Sequence, residues 1–181
     1  MTRFGYVMLT YVAAMGVAVA AVIPTSTRLV WNVSASAPIG LYRIDPAERL
    51  EVPDLVAVMP PEPLEDFMVE RGYIGRDVPL LKRVMGRPGQ RVCRTGHAIT
   101  VDDIPLGEAR DHDSHGRPLP VWHGCRRVQP DELFLMNIDI PDSLDGRYFG
   151  PLPATTVIGR AVPLYTDEDG NGRFVWRAPT R

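Results

Sequence analysis

Apolar residues are arranged along this chain in two ways. The first is a single block: from Phe4 to Ile23 no charged residue occurs, with Arg3 before it and Pro24 after it. A run of that length matches one bilayer crossing and predicts a transmembrane helix over 4–23. Ala18, Val19 and Ala20 also form a small-residue pattern near its end, so a cleaved secretory signal is the alternative. Either reading exports residues 24–181. Charge does not set the orientation, because Arg28 and Arg43 beyond the run outweigh Arg3 before it.

The second arrangement is a series of short apolar segments between turn residues. TRLVWNVSAS alternates as a strand that enters a turn at Pro38 and Gly40, with Ser36 at the strand end. Leu55 to Met59 reads as a buried strand stopped by Pro60 and Pro61. PLEDFMVERGYI, from Pro63, has Pro near its start, acids in its first turn and Gly72 as a stop, which predicts a short helix. PLLKRVMGRPGQRV predicts two strands about a turn at Pro88 and Gly89, with Lys82 in the first. Glu132 to Met136 and Val157 to Tyr165 supply two more core strands, with a polar, turn-rich segment between them. DEDGNGRFVWRAPTR reads as a turn, one more short strand and a frayed tail. Residues 94–127 hold all four His with many Asp, Gly and Pro, and predict a hairpin-rich insertion. The fold class expected is an all-β antiparallel domain over 24–181 behind an N-terminal helix.

Composition supports this and removes one class of partner. The 18 Pro and 16 Gly interrupt long helices and favour short strands. A net charge of −2 gives no basic field, so no nucleic-acid partner is expected. Cys93 and Cys125 are the only cysteines, and an exported domain can oxidise them to a bond fastening the insertion; two free thiols are the alternative. Of the 20 basic residues 19 are Arg, and only Lys82 is lysine. Coding bias would explain that asymmetry, but so would chemistry. Arg stays protonated, whereas a lysine amine loses its proton when desolvated. Lys82 lies among Leu80, Leu81 and Val84, and alternation turns Arg83 to the opposite face. Burial lowers a lysine pKa by about 3 units, enough to make a neutral base near working pH. Such a base activates a serine without any histidine.

Three segments in this order behind an apolar run, NVSASAPIGLY, LLKRVMGRPGQRV and PDSLDGRYFGPLP, resemble type I signal peptidases over roughly residues 30–165. Ser-Ala-Pro-Ile-Gly-Leu-Tyr and the Glu-Arg-Gly-Tyr segment before the lysine are similar to the conjugative-transfer, TraF-type branch, which matures pilin subunits. The resemblance implies Ser36 as nucleophile and Lys82 as general base. It also implies an oxyanion site from the Ser36 backbone N–H and the Ser34 hydroxyl. Ser143 would orient the lysine amine, and Asp145 with Arg147 would brace that loop. It implies no cofactor and no metal, and a peptide substrate at the periplasmic face of a bacterial inner membrane. The chain departs from the family in two places. Only Ala37 separates Ser36 from Pro38, which makes Ser34 a rival nucleophile, and Asn137, Ile138, Asp139 and Ile140 stand where the family has Gly-Asp-Asn-Arg.

His112, His115 and His123, with Asp111 and Asp113, could form a metal cluster or part of a Ser-His-Asp triad, but their polar setting favours a solvated loop. Trp31, Trp122 and Trp176 read as core or interfacial aromatics. Three functions remain open: a peptidase maturing a pilin precursor, a general signal peptidase, and a non-catalytic anchored β scaffold.

Overall fold

A computed structural model describes residues 2–22 and 29–179, with the backbone alone for 20–22. Ile23 and Pro24 at the end of the expected anchor, Thr27 and Arg28 of the first expected strand, and Thr180 and Arg181 of the tail lie outside the described residues, as does the Ala20 side chain of the expected cleavage pattern.

Helix α1 spans Arg3–Val22, and its apolar side chains from Phe4 to Val19 are exposed. Among the described residues no helix is long and apolar enough to cross a membrane, so a crossing over 4–23 is not supported by them. Beyond α1 the chain is mostly β. The strands in order are β1 (Leu29–Asn32), β2 (Ile39–Asp45), β3 (Leu55–Val58), β4 (Leu80–Gly86), β5 (Arg91–Thr95) and β6 (Ala98–Val101). They continue with β7 (Ile104–Glu108), β8 (Gly124–Arg127), β9 (Glu132–Leu135), β10 (Leu152–Pro153), β11 (Val157–Asp167) and β12 (Val175–Trp176). The expected helix is α2 (Glu62–Glu70), with Pro in its first turn and Gly72 just past its end at a positive φ of 70°.

One antiparallel sheet runs β1-β2-β11-β3-β4-β9-β10, with β12 added to β11. Its central strand β3 is buried on both faces, which explains the unbroken LVAV. One face packs Tyr42, Ile44, Leu55, Ala57, Leu81 and Ala161. The other packs Val56, Val58, Val84, Leu133 and Leu135. Lys82 is opposite Val56 in the β3–β4 register, so its side chain leaves the sheet on this second face. Gly40 allows β2 to approach β11, because a Cβ there would come within 2.2 Å of the Tyr165 carbonyl.

The insertion is more ordered than its composition predicts. It is a four-stranded antiparallel sheet, β7-β6-β5-β8, that begins at Arg91, three residues before the expected boundary. Cys93 and Cys125 lie directly opposite each other on β5 and β8 and are joined by a disulfide. Val92, Ile99, Val101 and Val128 share a core with Met85, Phe134 and Met136 of the main sheet region, so the insertion packs as part of the domain. The segment between β9 and β11, expected as turns, holds a short helix α3 (Gly146–Phe149). The Asp145 carboxylate caps it by accepting from the Arg147 backbone N–H, and only glycine fits at 146, where a Cβ would meet the Phe134 ring at 2.6 Å.

Candidate active site

Strand alternation carries Lys82 into the apolar face beside Val56 and Val84, where it is 4% exposed. Burial pushes its amine down to about 8, against the Asp145 carboxylate, which favours the charged form; the Arg147 guanidinium reinforces the lowering. The amine donates to Ser143 Oγ at 2.7 Å. Arg83, on the opposite face, is half-buried and reaches the Pro53 carbonyl at 3.2 Å.

Ser36 lies four residues past the end of β1, in the turn to β2, and not at the strand end. Asn32, buried at that end, holds the turn by donating from Nδ2 to the carbonyls of Ser34, Ala37 and Pro38. Its Oδ1 accepts from the Ser34 backbone N–H at 3.1 Å and the Ser34 hydroxyl at 3.0 Å. Ser34 and Ser36 hydroxyls are 2.9 Å apart. A serine has one hydroxyl proton, so with Ser34 donating to Asn32 the Ser36 hydroxyl donates to Ser34. Among the described residues no hydrogen bond joins Lys82 to Ser36 directly, and the Ser36 backbone N–H has no partner.

The supporting segment is tightly paired. Asp145 and Arg147 form an ion pair at 2.9 Å that is almost fully buried. Arg147 also donates to the carbonyls of Asn137, Ile140 and Pro141, which fixes the loop that carries Ser143. Burial opposes the Arg147 charge, but the bond to Asp145 prevails and raises its pKa further. In the sequence Asn137 stands out only as a departure from the family pattern. Here it is buried and donates from Nδ2 to the carbonyls of Ser36 and Leu81 while its Oδ1 accepts from the Arg83 N–H.

Ser34, Ser36, Lys82 and Ser143 line one cavity of about 290 Å³ with Met68, Ile74, Leu80 and Leu144. Its far wall comes from the insertion through Arg110, His112, Asp113 and Leu119. That wall is clasped to the end of α2: the Tyr73 hydroxyl donates to Asp113 at 2.5 Å, and Arg117 donates to Asp113 and to the Arg71 carbonyl. Although burial opposes it, these bonds hold the Asp113 carboxyl below the usual carboxylate range. Arg94 adds a second tie, donating to the Arg147 carbonyl at 2.7 Å from a buried position. Among the described residues no group of three or more His, Cys, Asp or Glu could hold a metal.

The family model for signal peptidase, peptidase S26, matches residues 1–166. The chain belongs to this family. Its relatives include the conjugal transfer protein TraF of Agrobacterium fabrum, 35% identical over 147 residues, with 75% of this chain and 81% of that protein covered. Signal peptidase I of Leptolyngbya laminosa is 32% identical over 82 residues, 45% of this chain and 38% of its own length. A crystal structure of signal peptidase I from Enterococcus faecalis is similar over 65% of this chain and 97% of that one, at 20% identity and a TM-score of 0.35. The chain is thus a type I signal peptidase relative of the TraF-type branch. What sequence reasoning missed within the family site were Asn32, Asn137 and the insertion wall. The first two carry a local signal: each is an asparagine at the end of an apolar run, LVWN and LFLMN.

Proposed function

We propose that this peptidase-family chain is a membrane-anchored serine endopeptidase that processes a pilin precursor in conjugative transfer, with Ser36 as nucleophile and Lys82 as general base. The observation that carries this reading is that the only lysine, its amine lowered to about 8 by burial, lines the same cavity as the Ser36 turn. Substrate binding turns the Ser36 hydroxyl from Ser34 toward the lysine, a tightening expected when a free site closes on its ligand. Ser36 Oγ then attacks the scissile carbonyl while Lys82 Nζ takes its proton. The unpartnered Ser36 N–H and the Ser34 hydroxyl receive the oxyanion. Collapse returns the proton to the leaving amine and leaves an acyl-enzyme, which a second nucleophile, activated by the same lysine, resolves. Ser143 holds the amine, and Asp145 with Arg147 holds Ser143.

The anchor belongs to this proposal. From Phe4 to Val19 the exposed side chains of α1 are uncharged and, Thr10 aside, apolar or aromatic, which suits lipid better than water. Leu29 and Trp31 on β1, Val33 just past it, Tyr165 on β11 and Trp176 on β12 add exposed apolar surface. We place the catalytic domain on the periplasmic side of a bacterial inner membrane. Flotation with vesicles tests this: the full chain should float, and removal of residues 3–22 should release it.

Substituting Ser36→Ala and, separately, Lys82→Arg tests the dyad; normal processing by either variant sinks it. Lys82→Arg is the sharper, since it keeps charge and removes the ability to be neutral. Longer coverage by the conjugal transfer relative than by signal peptidase I supports a pilin precursor over general signal-peptide removal. Mass spectrometry of a pilin precursor decides: a shortened product is expected, one further water lost indicates cyclisation, and cleavage of unrelated secretory precursors alone favours the general peptidase.

A further inference from the structure

Asn137 stands just beyond β9, where that strand has stopped pairing with β4; the last paired positions are Val84 with Leu135 and Gly86 with Phe134. From there its side chain takes over as a bridge. Nδ2 donates to the Leu81 carbonyl at 3.0 Å and Oδ1 accepts from the Arg83 N–H at 3.0 Å, so the peptide groups on both sides of Lys82 are held by one amide. The second N–H of Nδ2 donates to the carbonyl of Ser36 itself, 101 residues away in the sequence. Its own backbone is fixed as well, with N–H given to Asp145 at 3.0 Å and carbonyl accepting from Arg147 at 3.0 Å. One acceptor and two donors in use leave only this orientation of the amide.

We infer that Asn137 is a positioning residue that sets the separation of Ser36 from Lys82 by binding the backbone of both. The inference rests on the Ser36 and Lys82 roles proposed above. An apolar residue of similar size would fill the same volume, but the Ser36 turn would then keep only its local ties to Asn32 and, through the Pro38 carbonyl, to the Tyr42 hydroxyl. Misplacement of reacting groups by about 1 Å costs about 100-fold in rate.

The test uses the full chain in detergent micelles and a fluorescent fluorophosphonate, which phosphonylates a reactive serine with loss of fluoride. Labelling rate is followed across pH for Asn137→Ala and for the near-isosteric Asn137→Asp, which retains the acceptor for Arg83 and loses both donations. The wild-type rate should rise through a midpoint near the Lys82 value of about 8. The expected result is a plateau about 100-fold lower in both variants, with the Asn137→Ala midpoint unmoved, because the lysine remains buried while the serine is displaced. Three results overturn the inference. They are an Asn137→Asp plateau within about threefold of wild type, an Asn137→Ala midpoint that climbs toward the ordinary lysine range, or loss of cooperative melting in both variants. The first would mean that the two donations do not set the separation, the second that Asn137 keeps the pocket dry, and the third that it holds the fold. Ser36→Ala and Lys82→Arg run alongside: normal labelling of either overturns the dyad itself, an outcome distinct from these three.

Discussion

Lys82 sits on a strand next to the centre of the main sheet and is 4% exposed, whereas Ser36 lies half-buried in a turn that leads from an edge strand. The lysine is positioned by the sheet ladder and by apolar neighbours on β3 and β4. The serine is positioned by two asparagine side chains, Asn32 from its own hairpin and Asn137 from across the molecule. The contrast follows from what each group needs. A base made from lysine must be dry to be neutral, so packing builds it. A nucleophile must be reached by a peptide, so hydrogen bonds to backbone hold it in place without covering it. On the lysine side of the cavity apolar packing is added to hydrogen bonds from Asn137 and to Ser143, whereas the serine turn is held by hydrogen bonds.

The largest effect should separate the two serines of the turn. Ser36→Ala is expected to lower precursor processing by about 10,000-fold and Ser34→Ala by about tenfold to 100-fold, the scales of a nucleophile and of one oxyanion donor. Single-turnover rates check this, and a reversed order would move the nucleophile to Ser34. On the lysine side, Ser143→Ala removes the acceptor of the amine at 2.7 Å and should lower kcat by about 100-fold with little change in KM. An unchanged kcat would show that burial alone orients Lys82.

Stability should answer to the same burial. The folded-state pKa of about 8 lies below the ordinary 10.5, so between those values the unfolded chain binds more protons than the folded one. Stability contributed through this group therefore rises with pH from about 8 to 10.5, and at pH 7 its burial carries a cost. Lys82→Met should abolish processing yet raise stability at pH 7 by about 2 kcal/mol, less than the full shift because Ser143 loses its partner. The gain should fade toward pH 10.5 in denaturant titrations, and a gain independent of pH would refute the burial account. Smallest is Asn32→Ala, which frees the Ser34 and Ala37 carbonyls, leaves the Pro38 carbonyl only its bond from the Tyr42 hydroxyl, and should lower processing about tenfold while leaving the pH midpoint in place.

Sequence patterns reached the lysine side of this comparison more fully than the serine side. β3, β4, β9 and β11 follow from period-two and fully apolar segments, and Lys82 stood out because it has no other lysine for company. Ser36 rested on family likeness, since nothing in its own turn distinguishes it from Ser34. Asn137 looked like a deviation because its partners are 56 and 101 residues away, a relation that neither periodicity nor spacing expresses. The insertion has the sequence character of a polar excursion for a related reason. Its buried positions, Val92, Ile99 and Val101 among them, alternate with charged and turn residues, and their packing partners Phe134 and Met136 belong to another strand region. The short helix α3 was hidden by length, as four residues carry no helical period.

The solitary, enclosed lysine has a use beyond its chemistry. Its amine is the one side-chain amine in the sequence, distinguishable from an α-amine by peptide mapping, and at 4% exposure it is shielded from an amine reagent in solution. The pace at which such a reagent modifies Lys82 would then report how often the walls part, in the manner of amide exchange from a protected core. The native sequence thus contains its own side-chain gauge of breathing at the cavity, and no residue has to be substituted to read it.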